Sequence, residues 1–250
     1  MRYFLELSYS GKSYNGWQVQ PGVPSVQQTL QQALTTLLRR QTVVVGAGRT
    51  DTGVHASFYV AHFDAPEAIS DREDFRYHLN ALLPWDIAVS AVRPVREDAH
   101  ARFDATEREY RYYVSLRKDP FRYDTAMYLT LPPDVERMNR AAEQLLSTSD
   151  FTSFSKLHSN NRTNICRVTR AQWASPGDGM LVFTIAADRF LRNMVRAVVG
   201  TLLDVGRGKL DAEGFRAVID GRDRCLAGGS VPPQGLFLSG IAYPEEIYAE

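Results

Sequence analysis

The chain has 250 residues, of which 44% are hydrophobic and 23% are charged, and its formal net charge at pH 7 is zero. These values are ordinary for a globular protein of one large or two small domains, and a net charge of zero does not favour a non-specific nucleic-acid binder. No apolar run is long enough to span a bilayer and the first residues show no secretory signal, so we expect a cytoplasmic protein.

The first half of the chain predicts alternating strands and helices. The predicted elements are, in chain order, a strand at residues 2–9, a helix opened by a capping box at 25–28, strands at 42–45 and 58–63, a helix capped at 70–73, and a strand at 87–92. This order is βαββαβ, which is typical of a ferredoxin-like unit.

The segment between the second and third of these strands reads Gly-Ala-Gly-Arg-Thr-Asp-Thr-Gly-Val-His-Ala over residues 46–56. A cation at Arg49 is expected to keep Asp51 ionised at neutral pH, and the surrounding glycines allow turns and close approach of a ligand. The segment is therefore either an active-site loop, whose carboxylate serves as a nucleophile, base or ion-pair partner, or an ordinary turn with a surface ion pair.

A more specific alternative is the Asp-Thr-Gly of aspartic proteases, in which two carboxylates share one proton. The neighbouring Arg49 favours the charged form of Asp51, and the chain contains no second Asp-Thr-Gly, so a protease site would require a dimer. This reading is disfavoured.

The second half predicts a similar order of elements. A strand at residues 107–116 is followed by a helix opened by Asp134, strands near 165–173 and 180–186, helices at about 190–205 and 212–220, and a strand at 236–242. We therefore predict an α+β fold of two ferredoxin-like halves, residues 1–98 and 99–250, whose antiparallel sheets flank a central cleft that holds the site.

Most basic residues of this chain are arginines. There are 25 arginines and four lysines, and the stretch from Lys156 to Arg207 has an excess of five basic residues. On the predicted helix at 190–205 the side chains of Arg189, Arg192 and Arg196 share one stripe, which fits either contacts to phosphates or a solvated helix face. The overall ratio is also expected in a GC-rich genome.

The two cysteines, Cys166 and Cys225, have no partner at metal-ligand spacing. Both are expected to be reduced packing residues, and no metal site is predicted.

Four segments together resemble the tRNA pseudouridine synthase A family. They are residues 9–18, the Gly-Arg-Thr-Asp-Thr-Gly-Val-His segment at 48–55, His-Ala-Arg-Phe at 100–103 with Tyr-Arg-Tyr at 110–112, and Phe-Leu-Arg-Asn-Met-Val-Arg-Ala-Val-Val-Gly at 190–200. Residues 150–154, 235–238 and 243–244 also match, so the resemblance covers nearly the whole chain. The family usually has alanine where Thr52 stands.

The resemblance implies a pseudouridine synthase fold and an isomerase that converts uridine to pseudouridine at positions 38, 39 and 40 in the anticodon stem-loop of tRNA. It implies no cofactor, and a homodimer that binds tRNA across both subunits. The alternative from another class is a non-catalytic RNA chaperone on the same scaffold. The presence of Arg49, Asp51 and Tyr110 argues against it, because a pure binder has no need of a carboxylate facing RNA.

The resemblance also implies residue roles. Asp51 is the catalytic nucleophile, which attacks the sugar C1′ or supports a glycal route, and Arg49 pairs with it. Tyr110 stacks on the target base and takes part in proton transfer. A flipped base needs such an aromatic face, although tyrosines at alternating strand positions are also common in cores, which is the role we favour for Tyr112.

The remaining candidates are predicted to bind the substrate. His55 either orients the loop, which we favour, or contacts RNA. Arg102 either binds phosphate and braces the site or forms an ion pair at the domain junction. The three arginines at positions 189, 192 and 196 complete the set, and Tyr14 and Trp17 either shape the pocket wall or pack in the core.

Overall fold

The computed structural model describes residues 1–156 and 162–249, which contain nine β-strands and five α-helices. The prediction of an α+β fold is confirmed. In the described part of the chain, none of the helices has the length and apolarity that a membrane crossing requires.

The first compact unit contains the predicted βαββαβ order. Its elements are β1 (Arg2–Tyr9), α1 (Val26–Leu38), β2 (Val44–Gly46), β3 (His55–Asp64), α2 (Arg72–Leu82) and β4 (Ile87–Val95). Strand β1 lies between β3 and β4 and is antiparallel to both, and β2 pairs antiparallel with β3. The end of β1 therefore leads into the loop before α1, and the start of β3 follows the loop that carries Asp51.

Local sequence signals explain where these helices begin. The Ser25 side chain accepts a hydrogen bond from Gln28 N at 3.3 Å, so the predicted N-cap of α1 is confirmed. In α2 the cap is Asp71, which accepts from Asp74 N at 2.9 Å, so the predicted capping at Ser70 is wrong by one residue. A carboxylate at this position also interacts favourably with the positive end of the helix dipole.

The second compact unit again follows the predicted order and includes the extra helix. Its elements are β5 (Glu107–Ser115), β6 (Met127–Tyr128), α3 (Val135–Ala142), β7 (Val168–Gly177), β8 (Met180–Ala187), α4 (Met194–Gly206) and α5 (Ala212–Gly221). The last strand, β9 (Leu236–Ala242), begins in this unit and ends in the first one. Strand β8 is antiparallel to both β5 and β7. The two-residue strand β6, which was not predicted, runs parallel to β5.

The compact units meet in sequence between Glu107 and Arg108, and the residues from Leu238 onward belong to the first unit. Two hydrogen bonds explain why the turn after residue 98 stays with the first unit: Arg2 Nη1 donates to Ala99 O at 2.9 Å, and the hydroxyl of Tyr243 donates to the backbone of the same turn. These units do not coincide with the predicted segments 1–98 and 99–250, which remain a prediction about domains.

Candidate active site

Asp51 lies in the loop of residues 47–54, which joins β2 to β3. Val54 N donates to Asp51 O at 3.1 Å and closes a tight turn. Gly53 has a φ of +77°, which fits the third position of a type II turn, where a residue with a Cβ is strained. The half-buried Asp51 is thus held by a defined turn at the end of the sheet.

The loop between β1 and α1 packs against this turn. Gly53 N donates to Tyr14 O at 3.4 Å, and Trp17 N donates to Thr50 O at 3.3 Å. Gly16 comes so close that a Cβ there would lie 2.3 Å from Thr50 O. Tyr14 and Trp17 are buried, which supports core packing for both side chains.

His55 is buried, with 2% of its surface exposed. Its Nδ1 accepts a hydrogen bond from Gly11 N at 3.1 Å, so this nitrogen is unprotonated. The approach of the two segments is close, because a Cβ on Gly11 would lie 2.0 Å from Val54 O. Of its two predicted roles, orienting the loop has this bond in its favour, and contact with RNA stays a prediction.

The two charged residues of the loop differ in exposure. Asp51 is half-buried, whereas Arg49 is exposed. An exposed guanidinium is accessible to a phosphate group and can bind it with two parallel hydrogen bonds. The ion pair of Arg49 with Asp51 stays a prediction.

Arg102 lies on a turn that two histidines support. Ala101 N donates to His62 Nδ1 at 3.0 Å, and Arg102 N donates to His100 Nδ1 at 3.1 Å. Burial, followed by the positive charge of Arg2, lowers the pKa of His62 to about 4, and burial also lowers the pKa of His100. Both rings are therefore neutral at pH 7 and able to accept these bonds.

The side chains at the tip of this turn face the solvent. Arg102 is exposed, and its Cζ lies 5.7 Å from the centre of the Phe103 ring, which is 74% exposed. A guanidinium beside an exposed aromatic ring is suited to contacts with phosphates and bases. The predicted binding role of Arg102 is compatible with this exposure and stays a prediction.

In the second unit, Tyr110 lies on β5 and is half-buried, with its ring edge-to-face with Phe190 at 5.0 Å. Tyr112, two residues further along the strand, is fully buried and donates its hydroxyl to Pro232 O at 2.9 Å. Burial raises the pKa of Tyr112. The core role predicted for Tyr112 is confirmed, and the base-stacking role of Tyr110 stays a prediction.

The predicted arginine stripe on a single helix is wrong. Helix α4 begins at Met194, and its N-cap Asn193 has a left-handed φ of +67°, so Arg189 and Arg192 precede the helix. The cap amide explains this start, because Asn193 Nδ2 donates to Ser230 Oγ at 2.6 Å and holds the turn in place. Arg192 is exposed on this turn, and Arg189 is half-buried before it.

Arg196 is the one member of the predicted stripe that lies within α4. It is half-buried, and its Nε donates to Val231 O at 2.6 Å, while Val231 N donates to Arg196 O at 3.1 Å. A Cβ on Gly200 would lie 1.8 Å from Gly229 O, so the loop after α5 contacts this helix closely. Arg196 therefore stabilises this loop, and its binding of substrate stays a prediction.

Both cysteines are free thiols. Cys166 is buried, and burial raises its pKa to about 12, as expected for a packing residue. Cys225 is exposed, so its predicted packing role is wrong. Within residues 1–156 and 162–249, no group of three or more His, Cys, Asp and Glu side chains is arranged to hold a metal ion.

The sequence matches a protein family described as tRNA pseudouridine synthase over residues 7–104 and 141–244. These ranges include the Asp51 loop, the Arg102 turn and the arginines at 189–196, whereas Tyr110 lies between them. Fold and matched segments together define a pseudouridine synthase, which is an isomerase that acts on tRNA.

Individual relatives agree with this class. The chain is 56% identical to tRNA pseudouridine synthase A of Bacteroides thetaiotaomicron over 100% of this chain and 93% of that protein, and 54% identical to that of Parabacteroides distasonis over 99% and 98%. It is 40% identical to that of Bacillus subtilis over 97% and 99%. The chain belongs to the tRNA pseudouridine synthase A family.

Among solved structures, a chain of "Crystal Structure of a Cbf5-Nop10-Gar1 Complex" is similar over 80% of this chain and 54% of that one. The TM-score is 0.31 and the sequence identity is 12%, a likeness too weak to define the fold.

Proposed function

We propose that the protein isomerises uridine to pseudouridine at positions 38, 39 and 40 in the anticodon stem-loop of tRNA, with Asp51 as the catalytic nucleophile. The observation that carries this proposal is the position of Asp51. It lies inside the family match, on a turn closed by its own carbonyl and bonded to the neighbouring loop. A carboxylate held in this way can meet the sugar C1′ in one defined orientation.

The reaction is balanced without a redox partner. The bond from C1′ to N1 of the base breaks, the base rotates, and a bond from C1′ to C5 forms. The hydrogen on C5 leaves as a proton and N1 gains one, so no electrons enter or leave. In our proposal a carboxylate oxygen of Asp51 bonds to C1′ as the bond from C1′ to N1 breaks, and it leaves C1′ again when C5 attacks, so the carboxylate is regenerated without a cofactor.

The other predicted site residues take supporting roles in this proposal. Arg49 pairs with Asp51, and Tyr110 stacks on the flipped base and takes part in proton transfer. Extruding a base from a stem costs a few kcal/mol, which stacking on an aromatic ring offsets. Arg102 binds the RNA, and His55 orients the loop that carries Asp51. The arginines at positions 189, 192 and 196 contact the RNA backbone.

We further propose that the protein acts in the cytoplasm as a homodimer that binds one tRNA across both subunits. The support for this is the resemblance to the family and the exposed cations Arg49, Arg102 and Arg192. Mixing active wild type with an excess of Asp51→Asn protein tests it. With tRNA in excess over both proteins, so that the variant does not compete for substrate, a homodimer predicts mixed dimers whose activity per wild-type subunit changes with the ratio, whereas a monomer predicts no change.

The experiment that tests the reaction follows tritium release from [5-³H]uridine in an unmodified tRNA transcript. We expect release with the wild type and none with Asp51→Asn, because the amide keeps the shape of the side chain and lacks its charge. The affinity for tRNA should stay within a few-fold. Release that is unchanged in Asp51→Asn would remove this residue from the mechanism.

Two controls make the result specific. Asp98→Asn carries the same chemical change on an exposed side chain of the same unit and should keep full turnover. Transcripts in which only one of positions 38, 39 and 40 is uridine should each release tritium, and a transcript with none should not. Binding without release from any transcript would favour the non-catalytic chaperone.

A further inference from the structure

Two buried tyrosine hydroxyls bond the chain on either side of Arg49. The hydroxyl of Tyr59, on β3, donates to Gly48 O at 2.5 Å and accepts from Gly48 N at 3.4 Å. The hydroxyl of Tyr9, at the end of β1, shares a hydrogen bond of 2.8 Å with Thr50 Oγ1. The bonded positions therefore enclose the arginine and end one residue before the catalytic carboxylate.

The rings that carry these hydroxyls are fixed by packing. Tyr9, Trp17 and Tyr59 are buried, with 4%, 3% and 0% of their surfaces exposed. The Trp17 and Tyr59 rings stack with their centres 4.2 Å apart, and the Tyr9 and Tyr59 rings meet edge-to-face at 5.5 Å. Because each ring is held by the other two, each hydroxyl has a fixed position beneath the loop.

The chain enters the loop directly against these rings. A Cβ on Gly46 would lie 2.2 Å from the Tyr59 hydroxyl and 2.5 Å from Trp17 Cε2. At the other end of the segment 48–50, Thr50 is 7% exposed, and its buried hydroxyl is hydrogen-bonded to that of Tyr9. The backbone of residues 48–50 thus has little room to move relative to the two strands.

We propose that Tyr9 and Tyr59 are positioning residues for catalysis, whose hydroxyls fix the backbone at residues 48–50 and with it the directions of the Arg49 and Asp51 side chains. This inference rests on the proposed catalytic role of Asp51. Attack on C1′ requires a defined distance and angle, and a misplacement of about 1 Å lowers the rate by up to about a hundredfold. Binding of tRNA through exposed cations is far less sensitive to such a displacement.

The test compares Tyr9→Phe and Tyr59→Phe with Tyr3→Phe. Tyr3 is a matched control because it lies on β1 like Tyr9, is 2% exposed, and has a hydroxyl that accepts from Ile69 N at 2.9 Å. We expect Tyr9→Phe and Tyr59→Phe each to lower kcat for tritium release by about tenfold or more, with Kd for tRNA within about twofold. Tyr3→Phe should lose similar stability and keep kcat within about twofold.

Amide hydrogen exchange of the peptide covering residues 47–54 gives a second readout, which does not depend on activity. Exchange should be faster in Tyr59→Phe and Tyr9→Phe than in Tyr3→Phe. Equal exchange in all three, or an equal fall in kcat, would overturn the positioning role. If the wild type releases no tritium, the proposed function fails, and the exchange comparison still decides whether the hydroxyls fix the loop.

Discussion

The Asp51 loop and the segment around Arg192 carry the two kinds of charge that the proposed reaction uses, and they are built differently. The Asp51 loop is bonded from two sides, through Tyr14 and Trp17 of one neighbouring loop and through buried tyrosines beneath it. Arg192 lies exposed on the turn before α4.

This difference follows from what each charge must do. A nucleophilic carboxylate must meet one carbon atom at one angle, so the backbone that carries it has to be fixed. A guanidinium that neutralises a phosphate acts through a long side chain and tolerates variation in its position. We therefore expect substitutions near Asp51 to act through geometry, and those near Arg192 to act through charge.

The largest effect is expected when the close approach at Gly16 is broken. Gly16→Ala adds a Cβ 2.3 Å from Thr50 O at a residue with a φ of +88°, so both a clash with backbone and strain result. The free energy of unfolding should fall by about 2–4 kcal/mol in urea denaturation.

Gly22→Ala separates these two causes. Gly22 has a φ of +77°, and no neighbouring atom of the described residues lies within 4 Å of the point that a Cβ would occupy. Only the strain of about 1 kcal/mol therefore applies. Equal losses in the two variants would mean that the contact with Thr50 has no effect on stability.

The contribution of His62, which bonds the Arg102 turn, to the free energy of unfolding should depend on pH. His62 has a pKa of about 4 in the folded protein and 6.5 unfolded, so below pH 6.5 the unfolded chain binds more protons. Its stabilising contribution is complete above pH 6.5 and is lost as the pH falls towards 4, by up to about 3 kcal/mol.

Urea denaturation of His62→Gln at pH 7 and pH 4.5 measures this contribution. The variant keeps a hydrogen-bond acceptor and should lose less stability between the two pH values than the wild type. His78→Gln, at an exposed histidine beside Asp74, should decline like the wild type. A wild-type decline shared by both variants would contradict the assignment to His62.

A moderate effect is expected for Arg196→Ala. This change removes the donor to Val231 O and the packing of a half-buried side chain, so the free energy of unfolding should fall by about 1–2 kcal/mol. Arg216→Ala removes a surface ion pair with Asp220 and should change stability by no more than about 0.5 kcal/mol. Similar values for both would show that Arg196 does not stabilise the loop.

The smallest effect is expected when only the charge of Arg192 is removed. Arg192→Ala should weaken tRNA binding a few-fold at low salt and reduce the slope of log K against log salt concentration by about one. Filter binding at several salt concentrations, with Arg216→Ala as the unchanged reference, measures the slope. An equal loss of affinity at all salt concentrations would indicate a contact that is not electrostatic.

The sequence predicted those features of the site that depend on local chemistry. Glycine spacing around Asp51 predicted a turn, and the element order predicted both βαββαβ series, because hydrophobic periodicity and turn residues act over a few positions. The start of α4 was missed because Asn193 adopts a left-handed conformation that its bond to Ser230 supports, 37 residues away.

Tyr9 and Tyr59 were also missed, for a related reason. Each occupies an ordinary position in a strand, and nothing in its neighbours along the chain indicates that its hydroxyl reaches the Asp51 loop. Their significance depends on the bonds to Thr50 and Gly48, which are 41 and 11 residues away. A sequence pattern cannot show which buried polar group meets which loop.

The return of the chain from Leu238 onward to the first unit sets an order of events during synthesis. Ile247 belongs to the same buried cluster as Phe4 and Val60, and Arg96 N donates to Ile247 O at 3.0 Å. When only the first 107 residues have been synthesised, the hydrophobic core of the first unit is therefore still incomplete. The second unit is continuous in sequence and can fold before residues 238–250 are made, whereas the core of the unit that carries Asp51 is completed only with them.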